Sequence, residues 1–268
     1  ELDFVGSATV KETPKHVAEE MRQTLKLSVE EHRKSPNWTT ALRNLIDKAE
    51  DAGILVMVSG VVGSNNRRRL DVEEFRGFAL ADNLAPLIVI NGTDSKSAQM
   101  FTLCHEMAHL WLGSSGVSDT DIGKIPELDV EQWCNEVAAE FLVPLEHIRQ
   151  EFDSDNVLED EMERLARMFK VSTLVILRRL FDAGFINSDT LWNVYQEELF
   201  SIRSVEQKGS GGGNYYRTLG ARTGKRFVSA VLTSTLEGQT LFQDAFRMLG
   251  MRKSSTFYNA AREMGVLL

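Results

Sequence analysis

The chain has 268 residues and a net charge of −9, with 43% hydrophobic and 26% charged residues, enough for one large domain or two small ones. That composition excludes disordered, collagen-like and disulfide-scaffold proteins, and the acidic balance argues against a whole-surface nucleic-acid binder. No apolar run approaches the roughly 18–20 residues of a membrane span, the start ELDFVGSATV lacks a signal peptide's regions, and two cysteines, Cys104 and Cys134, leave a reducing cytosol as the expected compartment.

The sequence opens without Met, as expected of a processed or truncated chain or, equally, of a cloning artefact. Residues 15–34 read as a helix with Val17, Met21, Leu25 and Val29 at helical spacing. A second helix follows Pro36, with Trp38, Leu42, Leu45, Ile46 and Ala49 on one stripe and Gly53 ending it. ILVMVS (54–59) reads as a buried strand and SNNRRR (64–69) as a basic loop. FRGFALAD (75–82) and PLIVIN (86–91) read as two more strands with a tight connection at Asn83–Ala85.

Asp94 or Ser95 can cap a helix running to about Leu112, where Gly113 stops it. After a Gly/Ser/Asp loop up to Pro126, Asp129 and Gln132 suggest a capping box for a helix over 130–142, closed by Pro144. The segment 151–163 holds seven acidic residues and no basic one, as a solvated helix start would. Two short helices around Lys170–Ser172 follow in 165–186, and GSGGG (209–213) is linker-like. The expected units are 1–150, 151–208 and 209–268.

The informative residues are His-Glu-Met-Ala-His at 105–109. Helical positions i and i+4 share a face, so His105 and His109 can present two imidazoles to one metal ion. Glu106 then lies beside the metal, placed to take a proton from a bound water that zinc would acidify to a pKa of about 7. Apolar flanks, from Phe101 and Leu103 to Trp111 and Leu112, would keep such a site dry. The alternative is an ordinary core helix with two satisfied histidines.

A catalytic zinc wants a third protein ligand and one open position. No histidine stands at the extended downstream spacing, which leaves Glu127, Glu131, Glu136 and Glu140 as carboxylate candidates. Val130, Trp133, Cys134, Val137, Ala138 and Phe141 define the buried face of the 130–142 helix. Glu131 lies on the edge of that face, Glu136 nearly opposite, Glu140 on the other flank and Glu127 ahead of the cap, so geometry favours Glu131. Asn135, one turn on, is placed either to hydrogen-bond a ligand side chain or as a plain polar flank.

Two passages, FTLCHEMAHLWLG (101–113) and EQWCNEVAAEFLVP (131–144), resemble the ImmA/IrrE metallopeptidases. The second is similar to that family's E-x-x-[AC]-N-x-x-A-A-x-x-L-[ML]-P signature, with Val143 where Met or Leu is usual. The resemblance implies that Glu131 is the third zinc ligand. It also implies an α/β metallopeptidase core, found often in bacteria or their mobile elements, that acts on helix-turn-helix repressors or antitoxin-like partners. Many relatives carry an N-terminal helix-turn-helix domain, and none is recognisable here.

The segment 163–186 has helix-turn-helix spacing, with Arg178 and Arg179 as candidate phosphate contacts, opposed by the acidic run before it. Residues 214–268 hold eight Lys/Arg against three Asp/Glu; such charges, including Arg217, Arg222, Lys225, Arg226, Arg252 and Lys253, suit either an acidic partner or a solvated helix face. Tyr215 and Tyr216 read as a docking anchor. Cys104 and Cys134 read as small buried hydrophobes, with an oxidant-sensing pair as the other possibility. Arg76, Gly77, Phe78 and Ala79 are expected on an edge strand that pairs with substrate backbone, and His147 or a tyrosine could stabilise an oxyanion.

The expected architecture is α+β: a small antiparallel or mixed sheet packed on a zinc-binding helix pair, followed by a mainly α-helical C-terminal region. The expected function is a zinc-dependent endopeptidase, with His105, His109 and Glu131 on the metal and Glu106 as general base. Its substrate would be a repressor or antitoxin. The alternative is a zinc-containing regulator that binds a repressor or DNA without cutting.

Overall fold

The computed structural model describes residues 1–62, 67–118, 129–205 and 222–267. Where the apolar spacing suggests one helix over 15–34 there are two, α1 (Pro14–Leu25) and α2 (Val29–Arg33). Lys26 turns left-handed at φ 50°, and Ser28 recaps the chain by accepting the Glu31 N–H, so the stripe Val17, Met21, Leu25, Val29 is buried around a corner. Asn37 caps α3 (Trp38–Asp51) in the same way, through the Thr40 N–H.

Four strands form one mixed sheet: β1 (Leu55–Ser59), β2 (Gly77–Leu80), β3 (Leu87–Asn91) and β4 (Gly116–Ser118), in the order β1-β3-β2-β4. β1 and β3 are parallel, while β2 is antiparallel to both β3 and β4. The strand expected at an edge for substrate pairing is therefore interior. Gly77, Phe78 and Ala79 stand opposite Ser118, Val117 and Gly116, and the backbone edge expected for substrate is occupied by the chain itself. Of the basic loop 64–69, residues 64–66 lie outside the described residues, and Arg69 forms an isolated bridge to Val61.

Helix α4 (Lys96–Trp111), capped by Ser95, is buried at every residue from Gln99 to Trp111. A helix buried all round needs cover on all sides; β2 and β3 supply it on one side, α3 and α5 (Asp129–Leu142) on the other. The N-terminal segment closes the end of α4: the Gly6 and Ala8 N–H groups donate to the Leu110 and Trp111 carbonyls, and Phe4 stacks on Trp111 at 4.5 Å. Arg22 of α1 closes α5, donating to the Glu140 and Phe141 carbonyls at 2.9 and 3.2 Å.

Pro144 leads into α6 (Leu145–Glu151), followed by α7 (Leu158–Phe169), α8 (Thr173–Asp182) and α9 (Ser188–Val205). One hydrophobic core runs from Ala8 to Val194. Residues 165–186 do form helix, left-handed Lys170 and Ser172-capped helix. Arg179, however, is buried, donating to the Val143 carbonyl and ion-paired with Glu140, so it is not available to a phosphate. Arg178 pairs with Asp182 at 3.0 Å.

Three further helices, α10 (Lys225–Leu236), α11 (Phe242–Leu249) and α12 (Ser254–Glu263), enclose a second small core of Val228, Leu232, Ala245, Leu249, Phe257 and Ala261. This unit meets the first through Lys225–Asp47 at 2.6 Å and the Arg226 N–H on Glu50 Oε1 at 3.1 Å; burial pushes the Glu50 carboxyl up. Among the described residues no helix is long and apolar enough to cross a membrane. Glu127, the 209–213 stretch, Tyr215, Tyr216 and Arg217 lie outside the described residues.

Candidate metal centre

The centre lies where α4 crosses α5. One helical turn separates His105 and His109, and their Nε2 atoms stand 3.1 Å apart. Glu131, in the first turn of α5, meets both: its Oε2 is 3.1 Å from His105 Nε2 and its Oε1 3.3 Å from His109 Nε2. One ligand atom from each residue falls within 4.8 Å of the others, so the three could hold a metal ion.

The outer face of each imidazole has its own partner. His105 Nδ1 lies 2.9 Å from Asn135 Oδ1, and His109 Nδ1 lies 3.0 Å from Ser114 Oγ. Ser114 also donates to the His109 carbonyl, so its oxygen accepts from the ring. Both rings then carry their proton on Nδ1, and their Nε2 lone pairs converge on each other and on a carboxylate. Three converging acceptors call for a cation, and two imidazoles with one carboxylate suit zinc. The donor set fits the metal.

The electrostatics agree with that geometry. Burial pushes the His105 imidazole below its ordinary value, toward the neutral form a ligand needs. The two imidazoles hold the Glu131 carboxyl well below the usual carboxylate range, so it is ionised. His105 and Glu106 are 0% exposed and His109 5%, whereas the Glu131 side chain is 27% exposed, so the centre opens to solvent on the α5 side.

Glu106 sits beneath β2. A β-carbon at Gly77 would stand 3.0 Å from Glu106 Oε1. The four residues expected to bind substrate divide by face. Gly77 and Ala79 are buried, Arg76 pairs with Asp94 at 2.7 Å ahead of α4, and Phe78 packs against Phe75 at 6.5 Å. Arg76 and Gly77 thus have structural partners of their own.

The other candidates lie elsewhere. Glu136 accepts from Gln132 on the exposed side of α5, and Glu140 is buried against Arg179. His147 Nε2 lies 3.3 Å from Glu30, in a groove of about 760 Å³ between α1, α5, α6 and α8, away from the triad. Cys104 and Cys134 are both buried and free, and burial pushes both thiols up, away from the reactive thiolate. Ser114 escaped the sequence reading. Its signal is local: Gly113 turns the chain so that the Ser114 N–H returns to the His109 carbonyl at 3.0 Å.

The family of the IrrE N-terminal-like domain, Peptidase M78, matches residues 49–181, and a domain of unknown function (DUF8813) matches residues 223–263. No curated protein matches the chain. Residues 49–181, which contain α4, α5 and the His105–His109–Glu131 triad, belong to the ImmA/IrrE family.

Proposed function

We propose that the chain is a zinc-dependent endopeptidase that cuts a specific regulatory protein, a helix-turn-helix repressor or an antitoxin-like partner, and so relieves repression. The observation that carries the chemistry is the convergence of His105, His109 and Glu131, with Glu106 buried one residue from the first ligand. His105, His109 and Glu131 would hold a zinc ion, which would supply Lewis acidity toward a water and the scissile carbonyl. Glu106 takes the proton of the attacking water and returns it to the leaving amine. Asn135 and Ser114 hold the imidazoles in the ligating tautomer, and the buried wall of α4 strengthens each of these interactions. The substrate class rests on the family resemblance.

The test compares new protein N-termini in host cells expressing the wild type or Glu106→Gln, with and without DNA damage. A small set of cuts made only by the wild type supports the proposal and names the substrate. Zinc binding with a cellular effect that survives Glu106→Gln replaces it with a regulator that binds without cutting.

A further inference from the structure

The C-terminal unit is a three-helix arrangement with its own small core, apart from the candidate metal centre. Helix α11 ends at Leu249, Gly250 turns left-handed at φ 63°, and the Met251 N–H returns to the Phe246 carbonyl at 2.8 Å. Lys253 is extended, and α12 starts at Ser254. A four-residue turn containing glycine between two short helices has the length and composition of a helix-turn-helix connection. Ala245, Leu249, Met251, Phe257 and Ala260 are buried at its joint, and α10 supplies Val228 and Leu232 beneath it.

What a reading helix needs is a second helix with one bare face. In the earlier pair, α8 buries Leu174 to Leu177, Arg179 and Leu180, and so has no such face. Helix α12 buries only Phe257, Ala260 and Ala261. On its opposite side Ser255, Tyr258, Asn259 and Arg262 are all exposed, spaced three and four residues apart.

The chemistry of that face suits base edges. Asn pairs with adenine, Arg with guanine, and Ser with either donors or acceptors in the major groove. Arg252 and Lys253, exposed in the turn, stand where phosphate contacts anchor such helices. Residues 222–267 hold seven Lys/Arg against three Asp/Glu, within a chain of net charge −9. Of those acids, Asp244 pairs with Arg247 at 3.0 Å, and Glu263 lies at the edge of the α12 face.

We propose that residues 222–267 bind duplex DNA, with α12 in the major groove, Ser255, Asn259 and Arg262 reading bases, and Arg252 and Lys253 holding phosphates.

The experiment selects duplexes from a random pool with the full chain, then measures binding by fluorescence anisotropy across a salt series. Enrichment of a sequence, with affinity falling steeply as salt rises, is the expected result. Asn259→Ala and Arg262→Ala should each weaken binding to the selected duplex about ten-fold or more while leaving binding to random duplex within about two-fold. Arg252→Glu with Lys253→Glu should weaken every duplex and reduce the salt slope by about two. Circular dichroism checks that each variant folds, and Ser255→Ala, at a fully surface position, serves if Arg262→Ala does not. The proposal is overturned if no duplex sequence is enriched, if the charge-reversed protein binds as the wild type does, or if single-stranded DNA or an acidic polypeptide binds more tightly than duplex.

Discussion

Gly77 on β2 and Glu106 on α4 approach so closely that the strand has no room for a side chain. A β-carbon at 77 would meet Thr102 Cγ2 at 2.6 Å, Glu106 Oε1 at 3.0 Å and the Val89 carbonyl at 3.1 Å. The sheet thus limits the position of the proposed general base through the close approach of its backbone at Gly77.

Gly77→Ala should therefore act on Glu106 before it acts on the metal. Overpacking of this kind costs about 1–3 kcal/mol. The expected outcome is a lower thermal midpoint and a fall in peptide hydrolysis, with one metal ion per chain retained. Melting curves, metal analysis and a peptidase assay check it together, and an unchanged rate would show that the strand yields freely.

Glu106→Gln keeps the shape of the side chain and removes its basicity. Zinc content should stay at the wild-type level while hydrolysis falls about 10²–10⁴-fold, the usual contribution of general base catalysis. Loss of zinc in this variant would instead make Glu106 part of the metal set.

Asn135→Ala and Ser114→Ala remove the outer partners of the two imidazoles. Each should weaken metal affinity about 10–100-fold, read by competition with a chelating dye. Equal affinity in both variants would mean that burial alone orients the rings.

The buried Arg179–Glu140 pair ties α8 to α5 beside Val143. Arg179→Leu leaves the Glu140 carboxylate buried without its cation and should cost about 3–5 kcal/mol in denaturant unfolding. Pairing it with Glu140→Leu should recover most of that loss, because the orphaned charge goes too.

His32 gives the stability a pH dependence. It is buried, its Nε2 lies 3.1 Å from the Phe169 carbonyl, and burial lowers its pKa to about 4. Between that value and the unfolded value near 6.5, the unfolded chain binds a proton that the folded chain refuses. Stability should therefore fall as pH drops from about 6.5 to about 4, by at most about 3 kcal/mol from this group. Chemical unfolding at several pH values should show a shallower slope in His32→Gln.

Much of the site was legible in one dimension. The spacing of His105 and His109 carries its own geometry, because any helix brings i and i+4 to one face. The apolar periodicity of 130–142 likewise put Glu131 rather than Glu136 beside the centre, and the α5 packing against α4 has that orientation. Caps were readable for the same local reason: Ser95 and Ser172 sit where short polar side chains reach a free N–H.

Strand order was not legible. The spacing of 75–82 gives alternation but not neighbours, and β4, pairing from more than thirty residues on, made β2 interior. Nor was the split after Leu25, since the stripe of apolar residues continues across a corner that only left-handed Lys26 and the Ser28 cap create.

The sequence by itself determined the ligand chemistry and the helices that carry it, because hydrogen bonding within a helix depends on near neighbours in the chain. Tertiary structure alone decided that Gly77 lies against Glu106, that Arg179 is spent on Glu140, and that α12 keeps a bare polar face while α8 does not. Those are contacts between distant segments. Which side chains end up facing one another depends on how whole elements pack, and no local pattern records that.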